Sequence, residues 1–364
     1  MVGNKTPSPD LCNLWQLTGQ KASSALSLKR KKILKTAITF FCERMVFSRA
    51  IISSLMEGED RVLILGATGY FGRRLVKASL ALRHPTFILF RPENVSDVNK
   101  CQLFMELKME GAQLLQGSLH DHESLIAALK QVDVVVSTVA SNCILEQLKL
   151  VEAIREVGTI KRYLPSEFGM DVDRMEHATP PGDAVFREKR VVRRAIEKAS
   201  IPYTYVSANC FAGKFLAGLA QLATFMPPMD RVNIYGDGDK KCIWVDEFDV
   251  AMYTMLAVDD PRTLNKVLYL RPPANILSQM EVIAIWEKLI GKELSKTFVS
   301  KEEWLSTVKE ANFFERVAIA HLSDIFHLGV LEFEVEEGVN GVDSSKLYPE
   351  YKYVTAEEYL KRFI

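Results

Sequence analysis

Arg61-Val-Leu-Ile-Leu65 runs directly into Gly66-Ala-Thr-Gly-Tyr-Phe-Gly72. The first stretch is a short apolar run closed by a turn residue, as in a strand buried on both faces of a parallel sheet. The second has three glycines at i, i+3 and i+6, and a helical pattern follows it to about Ala81. In a strand–turn–helix setting each glycine has its own reason. Gly66 permits the tight turn, Gly69 lets backbone N–H groups approach a pyrophosphate, and Gly72 lets helix pack closely on strand. The whole loop, Gly66, Ala67, Thr68, Gly69, Tyr70, Phe71 and Gly72, is a candidate dinucleotide site.

Outward from this unit the chain keeps alternating. Strands are expected at Thr86–Phe90, Ala112–Gln116, Asp133–Ser137 and Lys161–Pro165. Helices are expected between them at about 98–110, from an N-cap at Asp121, and over 147–157, with a further one at 186–199. Five such alternations predict an α/β fold with a Rossmann-type, doubly wound parallel sheet. After about 210 the rhythm loosens: a helix is expected over 215–225, a strand over 231–235 and a helix over 279–290. Trp244 and Trp286 lie on apolar stretches and read as core. The organisation expected is an extension over 1–58, a nucleotide-binding domain over 59–210, and a smaller substrate lobe over 211–364 with segments returning to the sheet.

The end of the second strand selects the cofactor. An Asp or Glu there would hold ribose hydroxyls, but this chain has Phe90-Arg91, then Lys100. Two cations suit a 2′-phosphate, so the expected cofactor is NADPH. Ser137 and Thr138, ending the fourth strand, should lie beside the nicotinamide ribose.

The Tyr-x-x-x-Lys pair of short-chain dehydrogenases is missing. Lys189 sits on the 186–199 helix, but position 185 is Val, and the spacing recurs only at Tyr348 and Lys352, interrupted by Pro349. No phenol is placed to protonate an alkoxide, which disfavours simple carbonyl reduction. Arg193 follows Lys189 by one turn, and like charge together with burial would lower the lysine toward a useful base. The plain alternative is a solvated cationic face of Arg187, Lys189, Arg190, Arg193 and Arg194. His120 and His122 are two apart with no third ligand nearby, so they read as a helix start, and no metal site is expected.

The 364 residues carry no net formal charge, yet residues 1–58 hold nine Lys and Arg against three Asp and Glu, leaving the remainder mildly acidic. Nucleic acid is therefore not an expected partner. No apolar run approaches the ~18–20 residues of a spanning helix, so no membrane partner is expected either. Six scattered Cys with no CxxC pair suit a reducing compartment. A cytoplasmic protein is expected, with a transit-peptide role for the basic first segment left open.

Several longer blocks then stand in order: Arg91-Pro-Glu93, Lys161-Arg-Tyr-Leu-Pro-Ser-Glu-Phe-Gly-Met170, Lys189-x-x-x-Arg193, Tyr205-Val-Ser-Ala-Asn-Cys-Phe-Ala-Gly213 and Asp260-Pro-Arg-Thr-Leu-Asn-Lys266. Over about residues 60–364 the chain resembles the plant phenylpropanoid reductases: pinoresinol–lariciresinol, isoflavone and phenylcoumaran benzylic ether reductases, with eugenol synthases nearby. The Leu164–Met170 and Val206–Gly213 blocks and Ile276-Leu-Ser-Gln279 look most like the pinoresinol–lariciresinol branch. The resemblance implies an atypical short-chain dehydrogenase fold and Lys189 as proton acceptor. It gives Arg91, Lys100 and Arg193 to NADPH. It puts His321, Phe168, Met170 and Lys214 on the substrate side. Three departures bear on substrate choice. The loop after Ser137 runs nine residues to Gln147, as short as in the benzylic ether reductases; Lys214 stands where Tyr usually follows Ala-Gly; and Leu322 stands where an aromatic is usual.

The expected function is NADPH-dependent opening of benzylic ethers in lignans, with a small phenolic substrate as partner and a homodimer left open. The alternatives are a phenylcoumaran or isoflavone reductase, a propenyl phenol synthase, and a non-catalytic dinucleotide sensor. The composition break near 57 predicts that a chain starting at Met56 folds and turns over substrate normally. Insolubility or lost activity of that truncated chain would make the first segment structural.

Overall fold

The computed structural model describes residues 60–364 apart from 223, 337 and 340. The extension expected at 1–58 lies outside the described residues. The described residues form one compact unit.

The chain opens with β1 (Val62–Leu65) and α1 (Gly72–Ala81), then β2 (Thr86–Phe90), α2 (Val98–Met109), β3 (Gln113–Gln116), α3 (His122–Leu129), β4 (Val134–Ser137), α4 (Gln147–Val157), β5 (Arg162–Leu164) and α5 (Asp183–Lys198). The five strands form one sheet in the order β3-β2-β1-β4-β5, every pair parallel. That is the doubly wound order expected from the alternation. The central strands are buried on both faces, which is why β1 and β4 read as unbroken apolar runs. One core cluster joins Leu63, Val135 and Tyr163 of the sheet to Leu125, Leu150, Ile154, Val192 and Ile196 from α3, α4 and α5.

The sheet does not stop at β5. An isolated bridge from Tyr163 to Tyr203 leads to β6 (Thr204–Ser207), and β7 (Cys210–Phe211) follows. Further strands are β8 (Arg231–Tyr235), β9 (Lys241–Val245), β10 (Lys266–Tyr269), β11 (Ile276–Ser278), β12 (Ser295–Val299) and β13 (Val342–Asp343). β10 lies parallel between β6 and β13. Small sheets β11-β9-β7 and β12-β8 pack with α7 (Gln279–Ile290) and α9 (Phe313–Phe326), while α6 (Glu247–Val258) packs on α1 and α8 (Lys301–Ser306) on α9. Trp244 and Trp286 are fully buried, as their apolar settings implied.

One expected element is absent. Residues 215–222 form a run of turns rather than a helix. Leu219 and Ala220 have φ of 52° and 63°, outside any α-helix. Their carbonyls accept instead from side chains: Gln279 Nε2 donates to Leu219 O at 3.2 Å and the Tyr235 hydroxyl to Ala220 O at 3.0 Å. Tertiary bonds satisfy this backbone, so the apolar spacing had no helix to report.

Among the described glycines, Gly72 in the β1–α1 turn leaves the least room for a side chain. Gly66 has φ of 77°, and a Cβ on Gly72 would lie 2.1 Å from the Gly66 carbonyl oxygen. The obstacle is backbone and cannot rotate away. Gly72→Ala is therefore expected to cost about 1–3 kcal/mol or more through overpacking. Thermal unfolding should show a clearly lowered Tm, and an unchanged Tm would contradict this packing.

Candidate active site

The glycine loop is bolted to the end of β4. Thr138 N–H and its hydroxyl both donate to Leu65 O, at 3.0 and 2.7 Å. The Thr138 side chain thereby fills the space where a Cβ on Gly66 or Gly72 would sit, 2.6 and 2.9 Å from its Oγ1. Phe71 precedes α1 without a side-chain cap, and the first turn holds no acid. Its N–H groups and helix dipole are thus left facing the loop, the arrangement that receives a phosphate.

A cleft of about 330 Å³ opens beside this turn. Gly66, Ala67, Thr68 and Gly69 line it on one side, and Arg91 and Lys100 lie across the end of β2. Lys100 is held by Asp97, whose carboxylate also caps α2 through Lys100 N–H at 3.1 Å. No carboxylate stands at the end of β2, where the strand reads Phe90-Arg91-Pro92. A glycine cradle with two cations beside it fits a dinucleotide that carries a 2′-phosphate.

Lys189 projects from α5, and its Nζ donates to Glu167 O at 2.7 Å. Burial pulls its pKa down from 10.5 to about 8; the carboxylate of Glu167 opposes the shift, and the charges of Arg193 and Lys214 add to it. It is thus a lysine that can lose its proton near neutrality, not part of a solvated cationic face. His321 of α9 sits close by. Its Nε2 is 3.2 Å from Gly182 O, its ring is 4.9 Å from Phe186, and burial lowers its pKa, which keeps the imidazole neutral. Phe168 packs its ring 4.6 Å from Phe71, joining the base segment to the glycine loop.

The sequence profile of the NmrA-like family matches residues 58–360. This chain belongs to the NmrA-like family. It is similar to bifunctional pinoresinol-lariciresinol reductase 2 of Thuja plicata, with 56% identity over 313 residues that cover 85% of this chain and all of the relative. A solved structure of AtPrR2 with NADP+ and (+)pinoresinol is 47% identical, covers 85% of this chain and all of its own, and superposes with a TM-score of 0.82. Another, among crystal structures of pinoresinol-lariciresinol and phenylcoumaran benzylic ether reductases, is 56% identical over 85% of this chain and all of its own, with a TM-score of 0.81. The resemblance expected from the sequence blocks is borne out.

Within this NmrA-like chain, five of the expected cofactor residues, Tyr70, Phe71, Gly72, Ser137 and Arg193, do not line this cleft. Arg193 is 1% exposed and engages Glu167, Asp171 and Asp173, so its guanidinium is fully used inside the protein and does not reach the cleft. Ser137 is completely buried; Thr138, Val139 and Ala140 form the wall instead. Tyr70 and Phe71 do not line the cleft: Tyr70 donates its hydroxyl to Glu247 at 2.7 Å, and Phe71 is buried. On the substrate side Met170 is buried, whereas Lys214 is exposed with its Nζ 5.7 Å from the Tyr70 ring centre. Leu322 is core, 4% exposed. Sequence reasoning missed Phe104, Ser118, Leu119, His120, Cys143 and Glu146 on the cleft wall. Their shared signal was position: most follow the carboxyl ends of β3 and β4, where ligands of parallel sheets collect. Among the described residues no cluster suits a metal ion and no helix is long and apolar enough to cross a membrane.

Two outcomes follow from these positions. Arg91→Ala is expected to weaken NADPH by about tenfold or more while leaving NADH nearly unchanged, since a hydrogen bond to a charged group is worth about 1.5–3 kcal/mol. Titration with both cofactors checks it, and equal wild-type affinity for the two would contradict it. Lys189→Ala should lower turnover by about 10²–10⁴ with NADPH binding near intact, and Lys189→Arg should not rescue, because guanidinium stays protonated. A base works when deprotonated, so the wild-type rate should rise with pH through about 8, and that limb should vanish in Lys189→Ala.

Proposed function

We propose that this chain is an NADPH-dependent oxidoreductase that opens benzylic ethers of plant lignans, taking pinoresinol to lariciresinol and then to secoisolariciresinol. The observation that carries the reading is Lys189: a partly buried amine brought to about 8 on the helix that packs beside the Rossmann cleft, with no tyrosine at 185 to make a carbonyl reductase. Similarity to proteins named for this reaction supports the substrate class.

The neutral Lys189 amine takes the proton from the substrate's para-phenol, and the Glu167 carbonyl at 2.7 Å steadies the resulting ammonium. Electrons of the phenolate push through the ring and break the benzylic C–O bond. The leaving oxygen carries away the electron pair and takes up a proton from solvent, and the ring is left as a quinone methide. Gly66–Gly69, Arg91 and Lys100 would hold NADPH, which would supply a hydride for the benzylic carbon. The ring regains aromaticity as a phenolate, which recovers its proton from Lys189. No carbonyl is reduced, so no phenolic acid is required of the protein. A sensor would have no need of a lysine held at such a value.

A phenylcoumaran benzylic ether is the second reading. It is favoured by the nine residues between β4 and Gln147, which wind into a short turn, Ser141–Glu146, beside the cleft. We further propose a nucleotide-binding part over 59–210 and a substrate part over 211–364. The sparse, scattered thiols support a cytoplasmic location.

Product analysis with NADPH and each of pinoresinol, lariciresinol, dehydrodiconiferyl alcohol and an isoflavone tests the reading. The expected product is secoisolariciresinol from both lignans. Consumption of dehydrodiconiferyl alcohol alone would move the function to the phenylcoumaran branch.

A further inference from the structure

Glu167 presents two different groups to α5. Its backbone carbonyl accepts from Lys189 Nζ at 2.7 Å. Its carboxylate faces the next turn of the helix: Oε1 accepts from Arg193 Nε at 2.7 Å, and Oε2 from Arg193 Nη2. One guanidinium thereby takes both carboxylate oxygens. The pair is closed to water, with Arg193 1% and Glu167 6% exposed. Arg193 is itself held. Its Nη1 donates to Asp171 at 2.8 Å and to Asp173 at 3.1 Å, and the Tyr205 ring covers its face at 4.4 Å.

This arrangement bears on the base. The amine already touches residue 167, and side-chain torsion alone decides whether the carboxylate of that residue faces Arg193 or Lys189. Gly169 lies against the same amine: a Cβ there would be 3.9 Å from Lys189 Nζ and 3.8 Å from Glu167 O. A carboxylate at ion-pair distance favours the charged form of an amine. A lysine so paired keeps its proton at neutral pH and cannot serve as a base.

We propose that Arg193 is a positioning residue of the reaction: it holds the Glu167 carboxylate away from the Lys189 amine, so that residue 167 meets the base through its carbonyl alone. The inference rests on the reading of Lys189 as the group that takes the phenol proton, and deepens it. Four charged or titratable groups stand around the amine. They are Glu167 on the segment after β5, Arg193 on its own helix, Lys214 on the turn after β7, and His321 on α9, which burial keeps neutral. Burial and the two cations favour the free amine, and Glu167, the one acid among the four, opposes them. Arg193 therefore acts twice, as a like charge and as the group that claims the acid's oxygens. Arginine suits the second task, because its planar fork meets both oxygens together and a lysine ammonium does not.

The test follows the Lys189 titration by lysine side-chain NMR in the NADP+-loaded full chain, with turnover against pH beside it. Arg193→Lys keeps the positive charge and loses the fork. Its Lys189 midpoint should rise by about 1–3 pH units, the scale for a charged partner within reach, and the rising limb of turnover should move with it. NADPH affinity should stay unchanged, since Arg193 does not line the cleft. Adding Glu167→Gln to Arg193→Lys removes the misdirected charge and keeps the backbone carbonyl. The midpoint should then return to the wild-type value or below, and turnover near neutral pH should recover. A merely structural role gives lower turnover at every pH, an unmoved midpoint and no recovery in the double variant. An unmoved midpoint in folded Arg193→Lys, or no return in the double variant, would overturn the proposal. If Arg193→Lys does not fold, Glu167→Gln alone decides. Its midpoint should fall below wild type; an unchanged one would mean that the amine does not sense this carboxylate and that nothing has to be held away. The two readings fail separately. A midpoint that responds as described in a protein that opens no benzylic ether rejects the proposed reaction and keeps the positioning role. Normal lignan turnover with an unmoved midpoint rejects the positioning role.

Discussion

Arg193 meets three carboxylates at once inside the protein. Its guanidinium bonds Glu167 and reaches Asp171 at 2.8 Å and Asp173 at 3.1 Å, while the Tyr205 ring covers its face at 4.4 Å. Tyr269 adds a hydroxyl to Asp171 at 2.6 Å. Burying these charges carries a large desolvation penalty, so the network is a poor source of net stability. What it does is fix geometry. It ties residues 167–173, the segment leaving β5, onto one turn of α5, and the placement of Lys189 and of Phe168 depends on that tie.

The first consequence is the placement of Lys189. With the Glu167 carboxylate drawn toward Arg193, its backbone carbonyl is left to accept from the lysine amine, one helical turn earlier. The same clamp holds Phe168 at φ of 45°, a region costly for a bulky residue, with its ring against Phe71 of the glycine loop. The ion network thus spaces the base from the cofactor cradle through packed rings. A lysine so placed needs no tyrosine partner, because the chemistry asked of it begins at a phenol that the substrate brings. His321 and Asp324 support the other side of the helix: Asp324 accepts from the Thr179 N–H and hydroxyl, and His321 contacts Gly182 just before α5.

How much of this was legible in the sequence follows from how local each cause is. The β1–glycine–α1 unit, the four strands after it and the cap at Asp121 depend on neighbours within a few residues, so pattern and chemistry revealed them. Lys189 was legible as a helical lysine without Tyr at 185. The resemblance gave Arg193 to NADPH, and its spacing shows only that it shares a face with Lys189; the carboxylates that engage it lie about twenty residues earlier, on a segment folded back over the helix. The turns at 215–222 were misread for a related reason, since Gln279 and Tyr235 satisfy their carbonyls from far along the chain. Ser118, His120 and Glu146 reach the cleft because parallel strands end on one side, a fact of topology rather than of any motif.

The central claim is that this fold keeps Lys189 ready to act as a neutral base. An NMR titration of the protein with isotope-labelled lysine side chains, the Lys189 resonance being assigned by its loss in Lys189→Ala, reads that state directly. The account predicts a midpoint at about 8. A midpoint near the ordinary lysine value of 10.5 would contradict it and leave Lys189 a charged contact rather than a base.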